Sequence, residues 1–203
     1  MSAVPQGVVD KREVILRAAG KVIAEKGYHA TGIADIAREL GAGHGTFYRY
    51  FKNKEDIARS LVVRALGQMQ DAIADEDPQS SRSLGEYREQ VRRIGNKLFD
   101  LVVAEPDLAR VLFYDAAAIA RTDPGVLGSA VENAGAYTAA FIRNGQTRGF
   151  VRRELDPQVV GLAVNGMILA GCAQLLHVRD AEEMRTSWIR TVETLMFDGL
   201  GGT

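Results

Sequence analysis

Between Gly43 and Lys54 the chain gathers residues whose types and spacing suit contact with a polyanion. Phe47 and Phe51 stand four residues apart, so both rings fall on one side of a helix. Gly45, Thr46 and Arg49 fall roughly opposite, with Tyr48 and Tyr50 on the flanks. Such a helix is anchored by an aromatic pair and turns outward a small, hydroxylic and basic surface. Thr46, Tyr48 and Tyr50 can donate to phosphate or touch a thymine methyl, and Gly45 lets the backbone come close. His44 adds a candidate base or phosphate contact. Lys52 and Lys54 follow at once, and Lys54 sits at a helix start, itself an anion-binding feature.

Those residues need a scaffold, and the flanking sequence supplies one. Ile33, Ile36, Ala37 and Leu40 mark a short helix stopped by Gly41, and a second short helix is expected over about 44–51. Joined at Leu40-Gly41-Ala42-Gly43, the two have the dimensions of a helix-turn-helix. Upstream, Asp10 and Glu13 form a capping pair for a first helix with an apolar stripe of Val14, Ile15, Ala18, Val22 and Ile23, ended by Gly27. Downstream, Asn53 caps a longer helix with Glu55 and Asp56 in its first turn.

Helix signals continue to the end, and no stretch sustains a period of two. Asp75 to Ser81 reads as a polar loop, and Ser83 with Glu86 caps the next helix. Pro106 interrupts the pattern. Asp123-Pro124 and Asp156-Pro157 each pair an N-cap residue with proline at the first helical position. Gly149 ends the helix between them, and Asp180 with Glu183 opens the last. The expectation is an all-α chain of about nine helices. A three-helix DNA-binding domain would cover 10–56, and a ligand-binding and dimerisation domain 57–203.

Composition narrows the function. The 203 residues carry a formal charge of −1, unremarkable for a soluble globular protein. Residues 1–60 hold ten Lys and Arg against seven Asp and Glu, whereas the remainder holds fifteen against nineteen. That asymmetry permits an N-terminal nucleic-acid contact without establishing one. A single cysteine, Cys172, excludes an internal disulfide framework and any multi-cysteine metal site; it reads as a buried, inert thiol. His29 and His177 have no partner at metal-ligand spacing and read as surface or capping residues. The start of the chain shows no secretory signal, and the apolar stretch 159–176 is broken by glycines and polar residues, so a buried helix and a cytoplasmic protein are expected. No phosphate loop, nucleophile motif or dinucleotide fingerprint is present, and no cofactor or metal is expected.

The runs Ala30-Thr31-Gly32-Ile33-Ala34-Asp35-Ile36-Ala37-Arg38-Glu39-Leu40-Gly41, Gly45-Thr46-Phe47-Tyr48-Arg49-Tyr50-Phe51 and Lys54-Glu55 closely resemble the DNA-binding domain of TetR-family repressors over about residues 11–60. The segment Gly145 to Pro157 resembles the family's usual connection between its seventh and eighth helices. The resemblance implies a homodimer on a roughly palindromic operator, with the last two helices as the dimer interface and a ligand that shifts the spacing of the two reading heads. By position it implies that Thr31, Gly45, Thr46, Tyr48, Tyr50 and Lys54 meet DNA. Three positions depart from the commonest pattern: Gly32 and Gly43 stand where a threonine and a serine usually cap helices, and His44 where a lysine is common.

The C-terminal half offers candidates for the other roles. Aromatic and sulfur-bearing residues recur at helical spacing: Met69, Tyr87, Phe99, Phe113, Tyr114, Tyr137, Phe141 and Met167. With Asp115, Asn133, Asn144 and Asn165 as sparse polar contacts, they describe either an ordinary core or a pocket for a small, mostly apolar effector. Gly161, Gly166, Ala170 and Gly171 suggest a helix that another helix approaches closely. Met184, Trp188, Val192 and Leu195 form a long apolar stripe on the last helix, expected at the dimer interface. Two competing readings remain at this level: a DNA-binding regulator without a ligand, and an enzyme whose catalytic groups carry no signature.

Overall fold

The computed structural model describes residues 10–121 and 124–198, apart from the side chains of His44, Pro124 and Val126. Among the described residues there are nine helices and no strand. They are α1 (Lys11–Lys26), α2 (Ile33–Glu39), α3 (His44–Tyr48), α4 (Lys54–Ala72), α5 (Leu84–Ala104), α6 (106–120), α7 (Pro124–Arg148), α8 (Pro157–Leu175) and α9 (Ala181–Phe197). Helix α6 is a composite in which a π-turn, Val111–Asp115, separates the segments Pro106–Arg110 and Ala116–Ala120.

Most helix starts follow from local side chains. Asp10, Asn53, Ser83, Asp156 and Asp180 each accept a hydrogen bond from a backbone N–H in the first turn that follows. Such a bond satisfies a donor that has no partner inside the helix. The expected cap at Asp123 lies outside the described residues. Glycine ends α1 at Gly27, with φ 83° and ψ 154°, a backbone region that only glycine occupies readily.

Helices α1 to α3 enclose Ile15, Leu16, Ala19, Ile23, Ile36, Phe47 and Phe51, and α4 closes this core from below with Ile57, Ala58, Leu61 and Val62. Helix α4 runs unbroken through position 57, where the sequence suggested a domain boundary. Leu108, Val111, Ala116 and Ile119 of α6 belong to the same cluster. Reading head and body therefore share one continuous apolar core along α4 and α6.

A second cluster joins α5, α6, α8 and α9 around Leu98, Phe99, Val102, Cys172 and Leu175. A third joins α5 to α7 around Tyr87, Phe141 and Ile142. Helices α7 and α8 pack closely because of a glycine. A Cβ on Gly161 would lie 2.8 Å from the Gly135 carbonyl oxygen and 3.1 Å from the Ala139 nitrogen. The bend between α4 and α5 is pinned by Glu76, 4% exposed, which receives Arg93 and Lys97. Tyr137 Oη donates to the carbonyls of Glu76 and Ile73 at 2.6 and 3.2 Å.

Candidate nucleic-acid interface and effector site

The reading head is built outward from Phe47 and Phe51, whose rings lie 5.8 Å apart and are 0% and 2% exposed. Burying a phenylalanine contributes about 1.5–3 kcal/mol, so the pair fixes how α3 sits on α1 and α4. Helix α3 ends at Tyr48, earlier than the expected 44–51 span, and Tyr50 and Phe51 lie beyond it. Between α2 and α3, Gly41 adopts φ 62°, a left-handed conformation that glycine takes without strain.

The outward surface carries Gly45, Tyr48 and Arg49, all exposed, with Thr46 and Tyr50 half-buried. Tyr48 is 57% exposed, and no heavy atom lies within 4 Å of a Cβ built on Gly45. Several cations nearby are already neutralised: Lys21 by Glu39, and Lys26 and Arg38 by Asp35. The Lys26 hydrogen bond, helped by the Gly32 N–H, holds the Asp35 carboxyl at about 2. Asp35 also accepts from the Gly32 N–H, the half of a capping box that does not need a side chain at Gly32. Arg49 and Lys52 are exposed and, among the described residues, neither is ion-paired. They leave uncompensated positive charge beside Tyr48.

Two expected contacts lie elsewhere than on this surface. Thr31 is 2% exposed, and its Oγ1 donates to the Gly27 carbonyl at 2.9 Å. It ties the α1–α2 corner together instead of presenting a hydroxyl to DNA, because the chain reverses there and turns the side chain inward. Lys54 is half-buried: its Nζ donates to the carbonyls of Tyr28 at 2.9 Å and His29 at 3.4 Å, and lies 4.5 Å from the Tyr28 ring centroid. The side chain of His44 lies outside the described residues. Arg12 packs over Phe51 and donates to Ser60.

The expected pocket residues separate. Met69 and Phe113 line an apolar cavity between α4, α5 and α6, with Ala65, Gln68, Leu98, Leu101, Val102, Glu105, Leu108, Ala109 and Leu112. Phe99 belongs to the adjoining cluster, and Met167 is half-buried on α8, its carbonyl accepting from Trp188. Tyr137 and Phe141 pack against Tyr87 in the third cluster, away from the cavity. Asn165 accepts from Thr138 at 2.8 Å between α7 and α8, and its Nδ2 is buried without a partner. Tyr114 is 50% exposed and reaches the end of α8, so it does not line this cavity.

The cavity itself measures only about 20 Å³, room for about one water molecule. Gln68 Oε1 is buried there without a hydrogen-bond partner. Sequence reading missed Gln68 and the aliphatic lining. The i, i+4 pairs Leu98–Val102 and Leu108–Leu112 were the available signal.

The apolar stripe on α9, expected at the dimer interface, is largely packed within the chain itself. Trp188 faces inward, where its Nε1 donates to the Met167 carbonyl at 3.1 Å. Gly171 makes this possible, since a Cβ there would lie 2.4 Å from the indole nitrogen. Met184 packs in the second cluster and Val192 is 7% exposed; of the four, Leu195 alone remains open. The stripe left uncovered is on α8: Val159, Leu162 and Leu169 are 63%, 43% and 37% exposed, and the exposed small residues Gly166 and Ala170 share their side of the helix. The expectation that this apolar helix is mostly buried does not hold for the single chain. Cys172 is fully buried, and desolvation pushes its thiol up to about 12.

A short helix presented over an aromatic anchor, behind a glycine turn and above a helical body, defines a helix-turn-helix DNA-binding domain on an all-α scaffold. Residues 15–61 match the model of the bacterial regulatory proteins of the tetR family. The fatty acid metabolism regulator protein of Bacillus subtilis (strain 168) is 36% identical over 97 residues, 48% of this chain and 48% of that protein, so the match spans about half of the relative. Two solved structures share the fold at 24% identity. The fatty acid degradation regulator FadR from Bacillus halodurans superposes with a TM-score of 0.75 over 100% of both chains. The FadR of Bacillus subtilis, solved in complex with stearoyl-CoA, superposes with 0.73 over 92% of this chain and 98% of that one. The first of these relatives is named as a regulator of fatty acid metabolism and the last as a transcriptional regulator.

Proposed function

We propose that the chain is a ligand-responsive transcriptional regulator that binds a palindromic operator as a homodimer and acts as a repressor in the cytoplasm. The observation that carries the DNA-binding role is the outward face of α3 and the turn after it: exposed Gly45, Tyr48 and Arg49, half-buried Thr46 and Tyr50, and the unpaired charges of Arg49 and Lys52. Hydroxyls and cations on a rigid short helix hold the phosphate backbone and read base edges. Lys54 contributes with whatever donor capacity its two carbonyl contacts leave.

Dimerisation through α8 is supported by its uncovered apolar stripe. Close small residues at Gly166 and Ala170 suit a second helix, and a stable dimer buries upwards of about 1,200 Å². Helix α8 is also long and apolar enough to cross a membrane; a partner copy covers the same face without lipid. Gly166→Arg tests this assignment. No atom lies within 4 Å of a Cβ there, so the chain should fold and yet give a monomer by light scattering. A native-mass dimer would remove α8 from the interface.

The effector is a small molecule with a long apolar part, in class a fatty acyl-CoA thioester, as in the FadR complex. The apolar seam between α4, α5 and α6 supports this site. Ligand pockets run to about 300–1,000 Å³, so this reading requires that a ligand act by favouring a more open form of the seam. A tenfold loss of operator affinity needs about 1.4 kcal/mol of coupling. The small cavity also favours a second reading, a regulator without an effector. Titrating a duplex from the chain's own promoter region, with and without stearoyl-CoA, separates them. Saltable duplex binding released by stearoyl-CoA supports the first reading, and binding unaffected by it supports the second. No duplex binding above the nonspecific level would defeat both.

A further inference from the structure

Four consecutive residues of the α6 π-turn, 112–115, reach three parts of the molecule. Leu112 and Phe113 line the apolar cavity. Tyr114 Oη donates to the Ala173 carbonyl in the last turn of α8 at 3.2 Å and lies 2.5 Å from Nε2 of His177, just beyond that helix. Asp115 Oδ1 accepts the backbone N–H of Tyr28 at 2.7 Å, 87 residues away in sequence, at the corner between α1 and α2. π-Turns inside α-helices are unusual and concentrate at functional positions.

The Tyr28 corner is a sensitive point to hold. It follows Gly27, whose backbone conformation leaves the helix abruptly. The Tyr28 ring is buried at 4% exposure, and Lys54 of α4 holds its carbonyl. Its N–H is satisfied by the body of the protein, through a charged acceptor, and charge-assisted bonds are the stronger kind. Arg110, one residue before the turn, donates to the Leu176 carbonyl at 3.1 Å, a second tie to the end of α8.

We propose that Asp115 is the positioning residue of the reading head: the π-turn acts as a strut between α8 and the α1–α2 corner, and displacement of Phe113 at the cavity moves the strut and releases Tyr28. A helix cannot shift Phe113 outward while leaving its neighbours two residues on in place, because all three contacts sit within one turn. Only the identity of the natural occupant rests on the function proposed above; the strut belongs to the chain alone.

The test therefore uses neither DNA nor effector. Amide hydrogen exchange is measured on the full-length chain and on Asp115→Ala, Asp115→Asn and Phe113→Trp, the last enlarging the side chain at the cavity as an occupant would. Asp115→Ala should speed exchange at Tyr28 by about tenfold or more, with loosening confined to about 27–31 and the adjoining head. Asp115→Asn keeps an acceptor oxygen and should restore most of the protection. Phe113→Trp should loosen the same corner although Tyr28 lies outside the cavity. If that variant is too unstable to fold, Leu112→Phe replaces it with the same expectation. Unchanged protection at Tyr28 in Asp115→Ala overturns the proposal. So does a cavity-filling variant that loosens α5 and α6 while Tyr28 stays protected, since the turn would then transmit nothing. Failure of the native chain to bind duplex or stearoyl-CoA would count against the proposed function and leave these outcomes as they stand.

Discussion

Replacing Lys54 with alanine should destabilise the protein in the absence of DNA. The ammonium makes one short bond to the Tyr28 carbonyl at 2.9 Å and a longer one to His29 at 3.4 Å, and it lies 4.5 Å from the Tyr28 ring centroid. A hydrogen bond to a charged group contributes about 1.5–3 kcal/mol. Here the lower end applies, since water can replace the lysine at a partly buried carbonyl, and the exposed His29 bond adds little. A cation over a ring adds about 0.5–1 kcal/mol. The expected loss is about 2 kcal/mol, a large share of the roughly 5–15 kcal/mol that stabilises a domain. For a chain of this length it corresponds to about 4–8 °C in melting temperature. Urea unfolding followed by circular dichroism measures it, with the slope unchanged and the midpoint lowered. A lowered operator affinity is expected as well, because the α1–α2 corner would loosen. If Lys54→Ala unfolded at the native midpoint and lost only operator affinity, with a flatter salt dependence, the ammonium would be a free phosphate ligand and the clamp argument would fail.

Other outcomes follow from the same geometry. Tyr48→Phe keeps the exposed ring and removes the donor, so operator binding should weaken by about 1–3 kcal/mol with no shift in melting; equal affinity would remove the hydroxyl from the contact. Gly171→Val should cost about 1–3 kcal/mol or more, because its Cβ would meet the Trp188 indole at 2.4–2.7 Å. A red shift of the single tryptophan's fluorescence would report the displaced indole, and an unchanged spectrum would contradict the packing. Burial alone would raise the Glu76 carboxyl, but hydrogen bonds from Arg93 and Lys97 outweigh it and hold the group below its usual 4.5. A depressed carboxylate contributes stability above its unfolded value and loses it as pH falls through the folded one. Acid unfolding should therefore lose a component below about pH 4.5, and Glu76→Gln should lack that component while being less stable at pH 7.

Much of the reading head was legible because its determinants are local. Asp10, Asn53 and Ser83 announce helices by bonding N–H groups two or three residues away, and no distant residue is needed for that. The four-residue spacing of Phe47 and Phe51 was enough to place both rings in the core and Tyr48 outside, since one helical turn decides the side. Asp156, with Pro157, and Asp180 marked α8 and α9 for the same reason.

Tertiary structure decided what those elements meet. Thr31 carries no local sign that its hydroxyl closes on Gly27; the chain reversal there does that. The apolar stripe of α9 showed that Trp188 would be covered, but only the notch at Gly171 sent it inward and left the α8 stripe open. Asp115 read as a polar contact for a ligand. Its partner is a backbone N–H 87 residues earlier, a pairing between distant segments that no periodicity encodes. The size of the cavity likewise depends on how α4, α5 and α6 close together. Periodicity predicts which faces are apolar, and the long-range packing of those faces determines whether they enclose a space.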